Sequence, residues 1–217
     1  MQQNIFVLNA VNSIANQIIL ELRDGEAQLD RGRFRRNLVK LGAILAYELS
    51  KSLQYKTVEV DTVLGKSSVN ILESPPVLYT IIRAGLPFLE GFQQFFESSD
   101  CGFIGAHRIE EKEEIAVTLG YSAIAPFAKQ DLILVDPMLA TGKSTLTALE
   151  SILQNGSPGM LHLVFAIAAP EGLENLTKCL DIPYKIWVGA VDECLNQNGY
   201  IVPGLGDAGD LLFGKKI

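Results

Sequence analysis

Three segments of this chain, VLYTII at 77–82, LILVD at 132–136 and LHLVFAIAA at 161–169, are almost continuously apolar. A strand wetted on one face alternates polar with apolar residues, whereas a strand without alternation is covered on both faces, as in a parallel sheet sandwiched by helices. Apolar residues at helical spacing fill stretches between and beside them, at Pro87 to Phe96, Ser144 to Gln154 and Glu171 to Leu180. The alternation predicts an α/β fold with an open, mainly parallel sheet flanked by helices. VEVDTV, CGFIGAHRI, EIAVTLGYSAI and YKIWVGAVD carry further strand texture.

Ahead of the sheet, Val7, Leu8, Val11, Ile14, Ala15, Ile18 and Leu22 predict an amphipathic helix ending at Arg23-Asp24-Gly25. A second helix is predicted from about Arg33 to Ser52, with Phe34, Leu38, Leu41, Leu45 and Leu49 on one stripe and Asp30 as N-cap. Arg31, Arg33, Arg35 and Arg36 crowd its start and read as a solvated helix face. From Arg108 to Lys129 a charge run mixes with weakly alternating stretches, as in a projecting hairpin. Residues 105–130 are then either a flap over a site or an ordinary surface hairpin. One domain is expected over 1–217, with a helical part at 1–57 and a terminal hood at 192–214.

The net charge of -7 argues against a nucleic-acid partner, because proteins that track phosphate backbones carry a basic face. A small anionic ligand stays open, since a few focused cations reverse the potential inside a cleft. Cys101, Cys179 and Cys194 are scattered without CxxC spacing, which suggests neither a disulfide framework nor a zinc site. A cytoplasmic setting is expected. No apolar run has the length of a membrane span, so no membrane partner is expected.

LILVDPMLATGKSTLTALESIL reads as strand, turn and helix: Asp136 closes the apolar run, Pro137 and Gly142 mark the turn, and Leu146, Leu149, Ile152 and Leu153 follow at helical spacing. Such a unit aims the unpaired N–H groups of a helix start beyond the strand's carboxyl end, where they suit a phosphate. The P-loop pattern G-x-x-x-x-G-K-[ST] fails here, because Pro137 stands where its first glycine belongs and has no N–H to donate. The shorter turn from Ala140 to Ser144 can wrap one phosphate monoester or serve only as a capped helix start. Arg83 directly follows a buried strand, where α/β ligand sites form. His107 flanks the hairpin and His162 sits in a strand, so acyl-transfer or thiol catalysis lacks its parts. Asp192 and Glu193 are adjacent in an extended segment and point apart, which excludes an acid pair.

VDPMLATGKS and GYIVPGLGDAGD, together with IIRAGL, AAPEG and AYE, resemble the uracil phosphoribosyltransferases, members of the type I phosphoribosyltransferase fold. The likeness covers essentially the whole length, in the family's order. It implies transfer of the phosphoribosyl group of 5-phosphoribosyl 1-diphosphate (PRPP) to a ring nitrogen of uracil, giving UMP and diphosphate in pyrimidine salvage. It implies a PRPP site over Asp136, Pro137, Met138, Leu139, Ala140, Thr141, Gly142, Lys143 and Ser144, with Arg83 and Arg108 on the diphosphate. The implied uracil pocket is Ile201, Gly206, Asp207 and Ala208. Asp136 and Asp207 are the implied catalytic pair, Asp136 near the ribose hydroxyls and Asp207 also meeting the donor or its magnesium. Mg2+ is the implied cofactor, carried mainly by PRPP, with no protein metal ligands assigned. The resemblance further implies a homo-oligomer, dimer or tetramer, with the N-terminal helices as candidates to cover an interface and GTP as a candidate activator. The chain departs from the family pattern at His107, Lys143 and Leu211, where the family commonly has tyrosine, glycine and arginine. Those departures motivate a rival reading as a catalytically weakened regulator that binds PRPP or a pyrimidine nucleotide.

Overall fold

The computed structural model describes residues 4–111 and 114–215, with side chains outside 106–119. The chain opens with β1 (Ile5–Val7), α1 (Ile14–Arg23) and α2 (Arg31–Ser50). An antiparallel ribbon of β2 (Tyr55–Thr62) and β3 (Gly65–Leu72) follows. Then come β4 (Val77–Ile82), α3 (Leu86–Gln93), β5 (Cys101–Glu111) and β6 (Glu114–Ala123). The second half contains β7 (Leu132–Leu139), α4 (Lys143–Leu153), β8 (Leu161–Ala168), α5 (Pro170–Cys179) and β9 (Tyr184–Val191). A short pair, β10 (Cys194–Leu195) and β11 (Ile201–Val202), leads to α6 (Ala208–Phe213).

The main sheet has the order β1-β9-β8-β7-β4-β5-β6. Every neighbouring pair is parallel except β5 with β6, so the expected open, mainly parallel sheet is observed. Its apolar strands are covered twice. Leu78, Ile133, Val135 and Val164 face a cluster shared with α1, α2 and α3, whereas Tyr79, Leu134, Leu163 and Phe165 face one shared with α4 and α5. That division is the period-two alternation of strand side chains, hidden in the sequence because both faces are dry. No helix among the described residues is long and apolar enough to cross a membrane.

The beginning of the chain corrects the expected first helix. Ile5–Val7 extend the sheet as an edge strand on β9, Leu8–Ala10 form a single 3-10 turn, and α1 starts only at Ile14, capped by Ser13. Phe6 lies 5.1 Å from the Trp187 ring, and parallel pairing satisfies backbone groups that a helix would have used internally. Val11 and Ile14, placed on the expected apolar stripe, are exposed. The second helix agrees with its reading, and the Asp30 side chain accepts the Arg33 N–H at 2.9 Å as N-cap. From Ala15 onward the stripe of α1 is buried within the chain, as is that of α2, with Leu22, Leu38, Leu41, Leu45 and Leu49 fully covered. VEVDTV belongs to the ribbon rather than the main sheet, and its partner β3 was not legible in GKSSVNIL.

The arginine cluster at the start of α2 is also more than a solvated face. Arg31 Nε donates to the Leu211 carbonyl at 3.1 Å, and Arg35 Nε donates to that of Leu212 at 3.0 Å. These are the orphan acceptors at the carboxyl end of α6, and cations there also complement the helix dipole. Arg33 turns instead to Glu21 on α1, which also accepts from Asn37 Nδ2 at 2.7 Å.

Hydrogen bonds from Arg33 and then Asn37 hold the Glu21 carboxyl down at about 2. A carboxyl depressed on folding stabilises the protein above its ordinary range, and that contribution is lost as pH falls towards its folded value. Glu21→Gln is expected to flatten the decline of the urea midpoint between about pH 5 and about pH 2. An unchanged decline would sink this assignment. A second expectation concerns packing of α5 on the loop after β7. A Cβ on Gly172 would lie 2.3 Å from the Ala140 carbonyl oxygen and 2.9 Å from Leu139 Cγ. Gly172→Ala should therefore lower stability by about 1–3 kcal/mol in denaturant titration, as overpacking does; a neutral result would refute the close approach.

Candidate functional site at the strand switch

The chain leaves β4 towards β5 and β6, then returns to β7 on the opposite side of β4 and continues to β8 and β9. Connections therefore diverge at the neighbouring carboxyl ends of β4 and β7. α3 packs in the cluster with α1 and α2, and α4 packs in the other. A crevice opens where strand order reverses in this way. Here it is a cavity of about 450 Å³, lined by Ile81 to Ala84 from the end of β4 and the turn after it, Asp136 to Gly142 with Ser144 and Thr145 from β7, its following turn and α4, and Asp207 to Asp210 with Lys215 from the C-terminal segment.

Register fixes the two strand ends against each other. Thr80 pairs with Val135, and its buried hydroxyl donates to the Val135 carbonyl at 2.9 Å. β7 does not turn at Pro137 as expected but runs to Leu139. Pairing with β8 passes from Asp136–Phe165 to Met138–Ile167, so the residue without an N–H falls at a break in the ladder. The turn itself is at Gly142, whose φ of 80° is left-handed and favours glycine. From there α4 begins, with first-turn N–H groups that have no partner within the helix. α5 steadies the turn from behind, as Asn175 Nδ2 donates to the Thr141 carbonyl at 2.9 Å.

The third wall comes from the end of the chain and is anchored to its beginning. Asp192 follows β9, and both its carboxylate oxygens accept from the Arg23 guanidinium, one of them at 2.8 Å from Nη1. Asp192 also accepts the Gly204 N–H at 2.8 Å, while Arg23 Nη1 donates to the Gly204 carbonyl at 3.0 Å. Gln28 Nε2 adds a bond to the Leu205 carbonyl at 2.8 Å. This side chain of Asp192 is almost fully buried, and its charge is matched in place. Asp207 then caps α6, accepting the Asp210 N–H at 2.9 Å.

Of the residues singled out from sequence, Arg83, Asp136 to Gly142, Ser144, Asp207 and Ala208 line one cavity. Lys143 is exposed and is not among its lining residues. Ile201 and Gly206 also stand outside the lining: Ile201 is buried in the core on β11, and Gly206 leads into Asp207. Arg108 and His107 are on β5, opposite Val117 and Thr118, and their side chains lie outside the described residues, as do Lys112 and Glu113 altogether. The sequence reading missed Ile81, Ile82, Ala84, Thr145, Gly209, Asp210 and Lys215 as lining residues. Asp210 was within reach of it, three positions after Asp207 in one glycine-rich run; Lys215 had no signal. Charged groups on the described wall are Asp136, Asp207 and Asp210 against Arg83 and Lys215.

The profile of the uracil phosphoribosyltransferase family matches residues 12–215. A uracil phosphoribosyltransferase from Porphyromonas gingivalis is 37% identical over 211 residues, covering 97% of this chain and 98% of its own. One from Pyrobaculum islandicum is 42% identical over 184 residues, 83% of this chain and 86% of its own. A solved protein structure from Aquifex aeolicus superposes with a TM-score of 0.86 at 36% identity, covering 98% of this chain and 99% of that one. A hypoxanthine phosphoribosyltransferase from Staphylococcus aureus, at 14% identity and a TM-score of 0.51 over 74% of this chain and 76% of its own, shares the fold alone. With the profile spanning all three walls of the cavity and the relatives covering nearly the full length, this chain belongs to the uracil phosphoribosyltransferase family.

Proposed function

We propose that the chain transfers the phosphoribosyl group of PRPP to uracil, forming UMP and diphosphate. Family membership supports PRPP-dependent phosphoribosyl transfer to a pyrimidine base. The observation that carries the finer reading is convergence: an arginine, a helix-start turn and an acidic glycine-rich segment, far apart in sequence, line one cavity at the strand switch.

In the proposed arrangement the turn from Ala140 to Ser144, with Thr145, receives the 5-phosphate through backbone amides and hydroxyls. Charge-assisted bonds of that kind contribute about 1.5–3 kcal/mol each. Cleavage of the ribose C1–O bond builds positive charge on the sugar and negative charge on the departing diphosphate. Arg83 meets the developing negative charge, and Asp136 holds the ribose hydroxyls from the strand end. Asp207, its position set by the cap on α6, faces the sugar and the base. The segment around Gly206 to Ala208 offers backbone groups to the planar edges of uracil, with Ile201 supporting it from the core. Fixed charges already in place need no reorganisation as the bond breaks, which is how such sites lower the barrier. The β5–β6 hairpin, with Arg108, is the candidate flap that excludes water.

Magnesium fits this wall as a partner of the donor. No three His, Cys, Asp or Glu side chains form a metal-binding group among the described residues, and hard carboxylates such as Asp136 or Asp207 are the residues that would touch it. When bound, it would neutralise diphosphate charge. Cytoplasmic salvage by a homo-oligomer completes the proposal; α1 and α2 bury most of their apolar stripes within the chain but expose Ile14, Leu20 and Tyr47, which keeps them as candidates to cover an interface.

Purified protein with PRPP, uracil and Mg2+ should form UMP, followed by chromatography. Asp207→Asn preserves a capping side chain and removes its charge, and should cut kcat/KM about 100-fold with little change in melting temperature. PRPP binding without UMP formation in the wild type would replace the enzyme reading with that of a regulator. Full activity in Asp207→Asn would remove its catalytic role.

A further inference from the structure

We infer that Phe213 is a positioning residue for Arg83, presenting that guanidinium to the ribosyl donor with its hydrogen-bond donors unspent. The inference rests on the proposed role of Arg83 at the diphosphate. Arg83 leaves the end of β4 on a long side chain that needs a partner to hold one orientation. Its guanidinium carbon lies 5.7 Å from the centroid of the Phe213 ring, within the range of a cation–π contact. Its Nη2 is 3.9 Å from Asp210 Oδ1, close enough for attraction but beyond hydrogen-bond length. That same Nη2 is buried and has no hydrogen-bond partner among the described residues. A ring and a carboxylate at that distance locate the guanidinium and consume none of its N–H groups; a tight carboxylate fork would have used them. Arg83 lines the cavity with its side chain 38% exposed, so an anion entering there meets a guanidinium already held in place.

Phe213 is not there to fill the core, since it is 37% exposed while its neighbour Leu212 is fully buried. The ring is itself secured. The Arg35 guanidinium lies 5.4 Å from the same centroid and bonds the Leu212 carbonyl through Nε and Nη2, and the Gly214 N–H closes on the Asp210 carbonyl at 2.9 Å. α6 therefore joins the two halves of the site: it starts at the base-side residues Asp207 and Ala208 and ends at the ring beside the donor-side Arg83.

The test is calorimetric titration of PRPP with Mg2+ into wild type, Phe213→Leu and Phe213→Tyr, with KM for uracil and melting temperature measured beside it. Phe213→Leu should weaken PRPP about five-fold, the equivalent of about 1 kcal/mol, with uracil KM within about two-fold of wild type. Phe213→Tyr keeps the ring face and should restore wild-type affinity. Phe213→Met repeats the loss of the ring if leucine lowers the melting temperature. Unchanged PRPP affinity in the ring-less variants, a tyrosine variant as weak as leucine, or an equal loss for uracil would overturn the inference. Wild type that binds PRPP without making UMP would sink the transferase reading and leave this test standing. Wild type that does not bind PRPP would overturn both.

Discussion

Everything at the cavity depends on the parallel pairing of β4 with β7. Those two strands are neighbours in the sheet but are separated in the chain by β5 and β6, so their carboxyl ends share an edge while their connections part to opposite faces. The pairing is tightly specified because both faces are buried: a slip by one residue would exchange every side chain between the two cores. Arg83 and the Gly142 turn each begin within a few residues of paired strand positions, and their separation inherits the precision of the ladder. A site built from mobile loops alone would have no such reference.

The C-terminal wall is held by a different means. Arg23 and Asp192 are 169 residues apart, and Arg35 and Leu212 are 177 apart, yet these contacts determine where Asp207 and Phe213 stand. Closing such long loops costs only slowly increasing entropy, provided the sheet has already brought α2 and β9 together. The pairing of Arg23 with Asp192 is a positional device more than a source of stability. Either member alone would leave a buried, uncompensated charge beside the Gly204 turn. The helical N-terminal part thus acts on the cavity without lining it.

The sheet was legible where burial produced continuous apolar runs, as at VLYTII and LHLVFAIAA, and the helices where one stripe faced the core. It was illegible at Ile5–Val7, since a three-residue edge strand shares its composition with the helix that follows, and at β3, whose polar residues face solvent on the isolated ribbon. The turn before α4 was readable because Gly142 marks backbone that residues with a side chain rarely adopt, whereas Asp207 was placed by family resemblance rather than by local pattern. Contacts from Arg31 and Arg35 were not readable, because a surface arginine and a helix-terminal clasp have the same local sequence. Lys215 reaches the cavity through the path of α6, which only tertiary structure defines.

Charge on the described wall bears on how a donor could enter. Asp136, Asp207 and Asp210 outnumber Arg83 and Lys215, so these side chains alone do not make an anion trap. The positive end of α4 acts only at the turn, within the reach of its first helical amides. A bare diphosphate would meet carboxylates in the remainder of the cavity, whereas a donor that arrives with a divalent cation brings their counter-charge with it. Magnesium favours that mode of binding, because it releases water reluctantly and is commonly shared between phosphate oxygens and one or two carboxylates. The acidic character of the wall and an anionic substrate are therefore compatible through the ion the proposed substrate carries, and the net charge of -7 is no obstacle to phosphate chemistry inside the cleft.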